Sequence, residues 1–144
     1  MALVRTHHNV YDTHYHIVFP VKYRKALLRD DIPLAITRIA QEISARFDIE
    51  FEKIGTDGDH IHILASFPPK HSGSAVVRMF KSITARELFE QFPALKKELW
   101  GGEFWSDGFY IATVSERGNW KAVEQYVANQ GKTMGESPQL RLFA

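Results

Sequence analysis

EFEKIGTDGDHIHILASF, residues 50–67, carries two runs of β-forming residues on either side of Asp57-Gly58-Asp59. An Asp-Gly pair accepts the positive φ angles that a tight hairpin turn demands, so Glu50 to Thr56 and His60 to Phe67 are predicted to fold back on each other as adjacent strands. Side chains on a strand alternate between its two faces. Ile61, Ile63, Ala65 and Phe67 therefore share one face, while His60, His62, Leu64 and Ser66 share the other. The first set is apolar and belongs on a core; the second opens with two imidazoles.

Working outward, Thr13 to Lys22 (THYHIVFPVK) is rich in β-formers, with Pro20 marking an edge, a bulge or the strand's end. Asp30-Asp31 supplies N-cap chemistry and Pro33 suits a first helical turn. Ile32, Ile36, Ile39, Ile43 and Phe47 then recur at helical spacing. Beyond the hairpin, Pro68-Pro69 stops the strand and Ser72 opens a second helix that runs to about Gln91. Val76, Val77, Phe80, Ile83 and Leu88 line one of its sides, and Arg78, Lys81, Ser82 and Arg86 the other. A loop holding Trp100, Gly101 and Gly102 leads to a fourth strand, Phe109 to Val114, and Gly118-Asn119 introduces a third helix with Trp120, Val123 and Val127 in a narrow apolar stripe.

The order β-α-β-β-α-β-α predicts an α+β fold: a ferredoxin-like, split βαβ antiparallel sheet with an additional C-terminal helix. Its first and third strands are expected side by side at the centre, running parallel, so that His14 or His16 borders the His60 end. Both long helices should cover the Ile61 face. The histidine face is then left open, with the third helix as its cover.

A chain of 144 residues accommodates one ordinary core, taken as residues 1–131, with a flexible Gly/Ser/Pro tail over 132–144. Hydrophobic residues make up 44% and charged residues 24%, as in a globular protein, and a net charge of +1 excludes coating nucleic acid by bulk charge while allowing a local basic face. The absence of cysteine removes disulfides, thiolate metal sites and cysteine nucleophiles. No apolar run suits a signal peptide or a membrane span, so a cytoplasmic protein without a membrane partner is expected.

Tyr126 and Gln130 lie four residues apart, hence on one edge of the third helix. If that edge meets the sheet's second face, two neutral imidazoles and an amide can hold a divalent cation beside a phosphate, with the phenol placed to attack. Nitrogen and oxygen ligation with open positions favours Mg²⁺ or Mn²⁺, though histidine also admits Zn²⁺, Co²⁺ or Ni²⁺. Taken singly, each piece has a plainer reading. His-x-His triplets arise easily among seven histidines, His14-Tyr15-His16 is a rival, and a tyrosine on an amphipathic helix commonly packs at a core edge.

Taken together, YHIVFPVKYRK (residues 15–25), GDHIHIL, FKSITARELFEQFP, LWGGEFWSDGFY and EQYVANQ resemble the single-tyrosine HUH transposases of the insertion-sequence 200/605 type. The resemblance runs in order from about residue 13 to 131. It implies metal ligands at His60, His62 and Gln130 and a nucleophile at Tyr126, with no departure at these positions. It further implies a homodimer, with a site shared in trans, that cuts single-stranded DNA at ends marked by subterminal hairpins. Such an enzyme forms a 5′-phosphotyrosine, leaves a 3′-hydroxyl and rejoins strands without ATP.

Lys22, Arg24 and Lys25, and Arg78, Lys81 and Arg86, form two basic clusters that can meet phosphates, although a solvated surface is the usual role of such clusters. Trp105 and Phe109 can stack on unpaired bases, with core packing as the expected role for at least one of them. Gln139, Leu140, Leu142 and Phe143 resemble the short peptides that dock into the bacterial sliding clamp. Two rival functions are a domesticated nuclease that processes chromosomal repeats and a catalytically silent ferredoxin-like module that only binds hairpin nucleic acid. A replication initiator or relaxase shares the metal motif but normally has a longer chain.

Overall fold

The computed structural model describes residues 13–114 and, near the N-terminus, the short antiparallel strands β1 (Val4–Arg5) and β2 (Val10–Tyr11). The main sheet contains β3 (His14–Pro20), β4 (Glu50–Thr56), β5 (His60–Ser66) and β6 (Tyr110–Val114) in the spatial order β4-β5-β3-β6. Helix α1 (Ile32–Phe47) connects β3 to β4, and α2 (Gly73–Gln91) with the single turn α3 (Leu95–Glu98) lies between β5 and β6. This is the ferredoxin-like order expected from the sequence.

The orientation of the central pair differs from expectation. β3 and β5 run antiparallel, with His14 opposite Ser66 and Pro20 opposite His60. A helical crossover makes β3 and β4 parallel, and β5 is the hairpin partner of β4, so the strand inserted between them must run the other way. His14 therefore sits at the far end of the sheet from His60, where its Nδ1 meets the Glu52 carboxylate.

The hairpin forms as its sequence dictates: Gly58 has φ +65°, and the Asp57 N–H donates to the His60 carbonyl at 3.0 Å. Ser72 caps α2 by accepting from the Ala75 N–H at 3.1 Å. Asp31 holds the equivalent position before α1 but makes no side-chain capping bond. The first strand ends at Pro20 rather than Lys22, because the chain turns there into a short 3₁₀ segment, Lys22–Arg24.

Ile17, Phe19, Ile61, Ile63 and Ala65 form one core with Ile36, Ile39 and Ile43 of α1 and Val76, Val77, Phe80 and Leu88 of α2. Phe19 packs edge-on against Trp105 at 4.8 Å and Phe80 at 6.0 Å between ring centres, an arrangement worth about 0.5–1.5 kcal/mol per pair beyond area burial. Trp105 is in the core because its indole N–H has a buried partner, the Thr84 hydroxyl, at 2.8 Å. That packing occupies the ring proposed for base stacking. Phe109 is half-buried against the same core.

Candidate active site

With both long helices on the Ile61 face, the second face of the sheet presents His14, His16 and Val18 from β3, His60 and His62 from β5, and Tyr110 from β6. His62 and Tyr110 are each paired in register with Val18, and His62 also with Gly55. The centre of this face is closed to solvent, with Val18 fully buried and His16, His60 and Tyr110 nearly so. Tyr126 and Gln130 lie outside the described residues, as do the helix expected to carry them and the proposed clamp peptide, Gln139, Leu140, Leu142 and Phe143.

Each histidine is set by its neighbours. The Nδ1 of His60 lies 2.7 Å from Asp59 Oδ1. A carboxylate there accepts the Nδ1 proton, which leaves the lone pair on Nε2. That Nε2 is buried and has no hydrogen-bond partner among the described residues; the Asp57 carboxylate stands off at 3.8 Å. Arg24 Nε in turn lies 3.8 Å from the other Asp59 oxygen, so guanidinium, carboxylate and imidazole form a chain leading inward.

The His62 ring lies over Gly55, where any Cβ would collide with its Cε1 and Nε2. Burial pushes the pKa of His62 below the ordinary imidazole value, with smaller contributions from His60 and Lys53. His16 is lowered for the same leading reason, followed by repulsion from His62, which places it beside that residue. Of the two histidines of β3, His16 borders the site. Burial also raises the pKa of the Tyr110 phenol, which disfavours its ionised form.

The basic candidates are placed unevenly. Lys22 pairs with Glu103 at 2.8 Å, and Arg24 is committed to Asp59. Lys25 is exposed. Arg78, Lys81 and Arg86 line a 440 Å³ groove between α2 and residues 102–107. Lys81 spends two donors on the Ser106 and Gly108 carbonyls, both at 2.7 Å, and is thereby an anchor for that loop. Arg78 and Arg86 remain exposed on the groove.

Residues 9–130 match the family model described as "Transposase IS200 like". The chain belongs to this family of IS200-like transposases. It is 34% identical over 122 residues to the ISDra2 transposase TnpA of Deinococcus radiodurans, covering 84% of this chain and 86% of that protein. The transposase for insertion sequence element IS200 of Salmonella typhimurium is 31% identical over 123 residues, covering 85% and 80%. A solved D. radiodurans R1 protein, described as a candidate transposase, superposes with a TM-score of 0.75 at 30% identity over 88% of this chain and 97% of that one. A REP-associated tyrosine transposase bound to a REP hairpin shares the fold at a TM-score of 0.51 and 13% identity, over 90% and 72%.

For an IS200-like transposase, the metal implied by the sequence resemblance can be tested against the residues themselves. His60 offers a buried nitrogen with no competing hydrogen bond among the described residues, and burial favours the neutral form of His62, the form that can bind a metal. Among the described residues no three histidine or carboxylate side chains converge as a metal cage. The described site thus fits two nitrogen ligands and leaves further positions to other groups or water. Two contributors had no role assigned from sequence, although each had a signal: an acidic residue directly before the first histidine, Asp59, and a glycine inside a strand, Gly55. No described helix is long and apolar enough to cross a membrane.

Proposed function

We propose that this IS200-like transposase cuts and rejoins single-stranded DNA at hairpin-marked ends through a 5′-phosphotyrosine, using a divalent metal and acting as a cytoplasmic homodimer. The observation that carries the reading is the state of His60: one ring nitrogen held by Asp59, the other buried and without a hydrogen-bond partner among the described residues, beside His62 on the same sheet face. Family membership supports the transposition chemistry, and the fold shared with a hairpin-bound transposase supports the choice of DNA probe.

In this reading His60 Nε2, His62 and the Gln130 amide hold Mg²⁺ or Mn²⁺. When bound, the dication polarises a phosphodiester oxygen and stabilises the charge that develops on it. The Tyr126 hydroxyl forms a bond to phosphorus as the bond from phosphorus to the 3′ oxygen breaks, the phenol losing its proton and the leaving 3′ oxygen gaining one. One phosphoester replaces another, so rejoining needs no nucleotide cofactor. Asp59 keeps the His60 proton on Nδ1 throughout, and Gly55 leaves room for the His62 ring.

The test is cleavage of single-stranded oligonucleotides that carry hairpins and the flanking genomic ends. Mg²⁺ or Mn²⁺ should support cleavage, and EDTA, His60→Ala or His62→Ala should reduce it by at least about a hundredfold. Undiminished cutting in EDTA or by His60→Ala would remove the metal from the account.

A further inference from the structure

Outside the histidine face, the two most exposed aromatic side chains of the described residues belong to loops that are tied together. Trp100 is 75% exposed and Tyr23 54%. Leu99, immediately before Trp100, is buried and its N–H donates to the Leu95 carbonyl at 2.9 Å, while Gly101 and Gly102 turn the chain at φ +96° and +80°. The indole therefore stands outward from an anchored turn. On the facing loop Tyr23 and Arg24 both adopt left-handed φ angles, +58° and +54°, an unfavourable choice for two successive non-glycine residues.

Three contacts join the loops. The Lys22 N–H donates to the Phe104 carbonyl at 2.8 Å, Lys22 Nζ pairs with Glu103 at 2.8 Å, and the Tyr23 hydroxyl reaches toward the Trp100 carbonyl at 3.5 Å. Lys22 Nζ also lies 5.6 Å from the centre of the Tyr23 ring, within cation–π range. Exposed Lys25 follows Tyr23 closely in sequence, and exposed Lys96 and Lys97 precede Trp100 on the helical turn before it. Arg24 has one guanidinium nitrogen buried without a hydrogen-bond partner among the described residues and directs another at Asp59, which holds His60.

We propose that Tyr23 and Trp100 form a stacking platform for unpaired bases of the single strand, next to the His60 end of the site. This deepens the DNA-cleavage reading and rests on it. An aromatic face attracts any base and is useful only where bases are unpaired, whereas lysines of the same two segments attract the backbone that links them. A protein partner fits the surface less well, because lysine is depleted from protein–protein interfaces. The continuity from Tyr23 through Arg24 and Asp59 to His60 sets the platform where a strand entering the site would pass.

The experiment measures anisotropy of a fluorescein-labelled oligothymidine, and of duplex DNA of equal length, with the full chain in EDTA so that nothing is cut. Trp100→Ala and Tyr23→Ala should each weaken single-strand binding roughly tenfold, Trp100→Phe should stay within about threefold of wild type, and duplex binding should not change. The slope of affinity against salt should also be unchanged, because stacking neutralises no phosphate. Circular dichroism checks that the surface variants remain folded. Wild-type binding with alanine variants within about twofold of it would overturn the platform and leave the DNA reading intact. Loss of duplex and single-strand binding together with a shallower salt slope would also overturn it, in favour of phosphate contact. A wild-type chain with no affinity for the single strand would overturn the DNA reading and the platform with it.

Discussion

At His60 a single carboxylate decides which nitrogen carries the proton. Asp59→Asn keeps the shape but can present its amide donors to Nδ1, so Mn²⁺ affinity measured by calorimetry is expected to fall about 10–100-fold in a protein that remains folded. Unchanged affinity would show that Asp59 does not orient the ring. Gly55→Ala should act on the other proposed ligand, because its methyl occupies the space of the His62 ring; a drop in metal affinity of at least about tenfold is expected. The histidines also make acid stability predictable. Folding lowers the pKa of His16 and His62 below 6.5, so near and below that pH the unfolded chain binds more protons than the folded one. Their contribution is present above about pH 6.5 and is lost as pH falls through the lowered folded-state values. The urea midpoint of metal-free protein should therefore fall between about pH 7 and about pH 5; a rise would contradict the burial argument. His60 and His62 were legible as a pair from alternation alone. The roles of Asp59 and Gly55 were not, because they depend on a side-chain distance and on what lies across the strand.

Among the elements, the helices were the most legible, since four or five apolar residues recurring at helical spacing leave little choice of face. Ile36, Ile39, Ile43, Val76, Val77, Phe80 and Leu88 are all buried as that spacing requires. Two-residue strands such as β1 and β2, and the single turn α3, are too short to show any period. The direction of β3 against β5 was misread because it follows from the connections between strands and not from either strand's residues. Capping distinguishes two helix starts that look alike in sequence. Ser72→Ala should lower stability by about 1 kcal/mol in urea unfolding, while Asp31→Ala should change it by less than about 0.5 kcal/mol, as only Ser72 makes a capping bond. Equal losses would show that the cap geometry is not what matters.

At the scale of the whole molecule, the sheet brings two imidazoles from one strand to a shared face, and the proposed chemistry, which makes them metal ligands, needs a nucleophile and a third ligand from farther along the chain. Tyr126 and Gln130 were legible as a helix-edge pair by spacing, but their roles come from the family resemblance. Tyr110 provides an internal control: it lies on the histidine face, on β6 and separated from β5 only by β3, its phenol buried and its pKa raised by that burial. The most direct measurement is therefore mass spectrometry of the denaturation-resistant adduct formed when the full chain meets hairpin-bearing single-stranded DNA and Mn²⁺. The account predicts a 5′-linked nucleotide on the peptide containing Tyr126, formed by wild type and Tyr110→Phe and absent from Tyr126→Phe. An adduct that persists in Tyr126→Phe, or that maps to Tyr110, would contradict it.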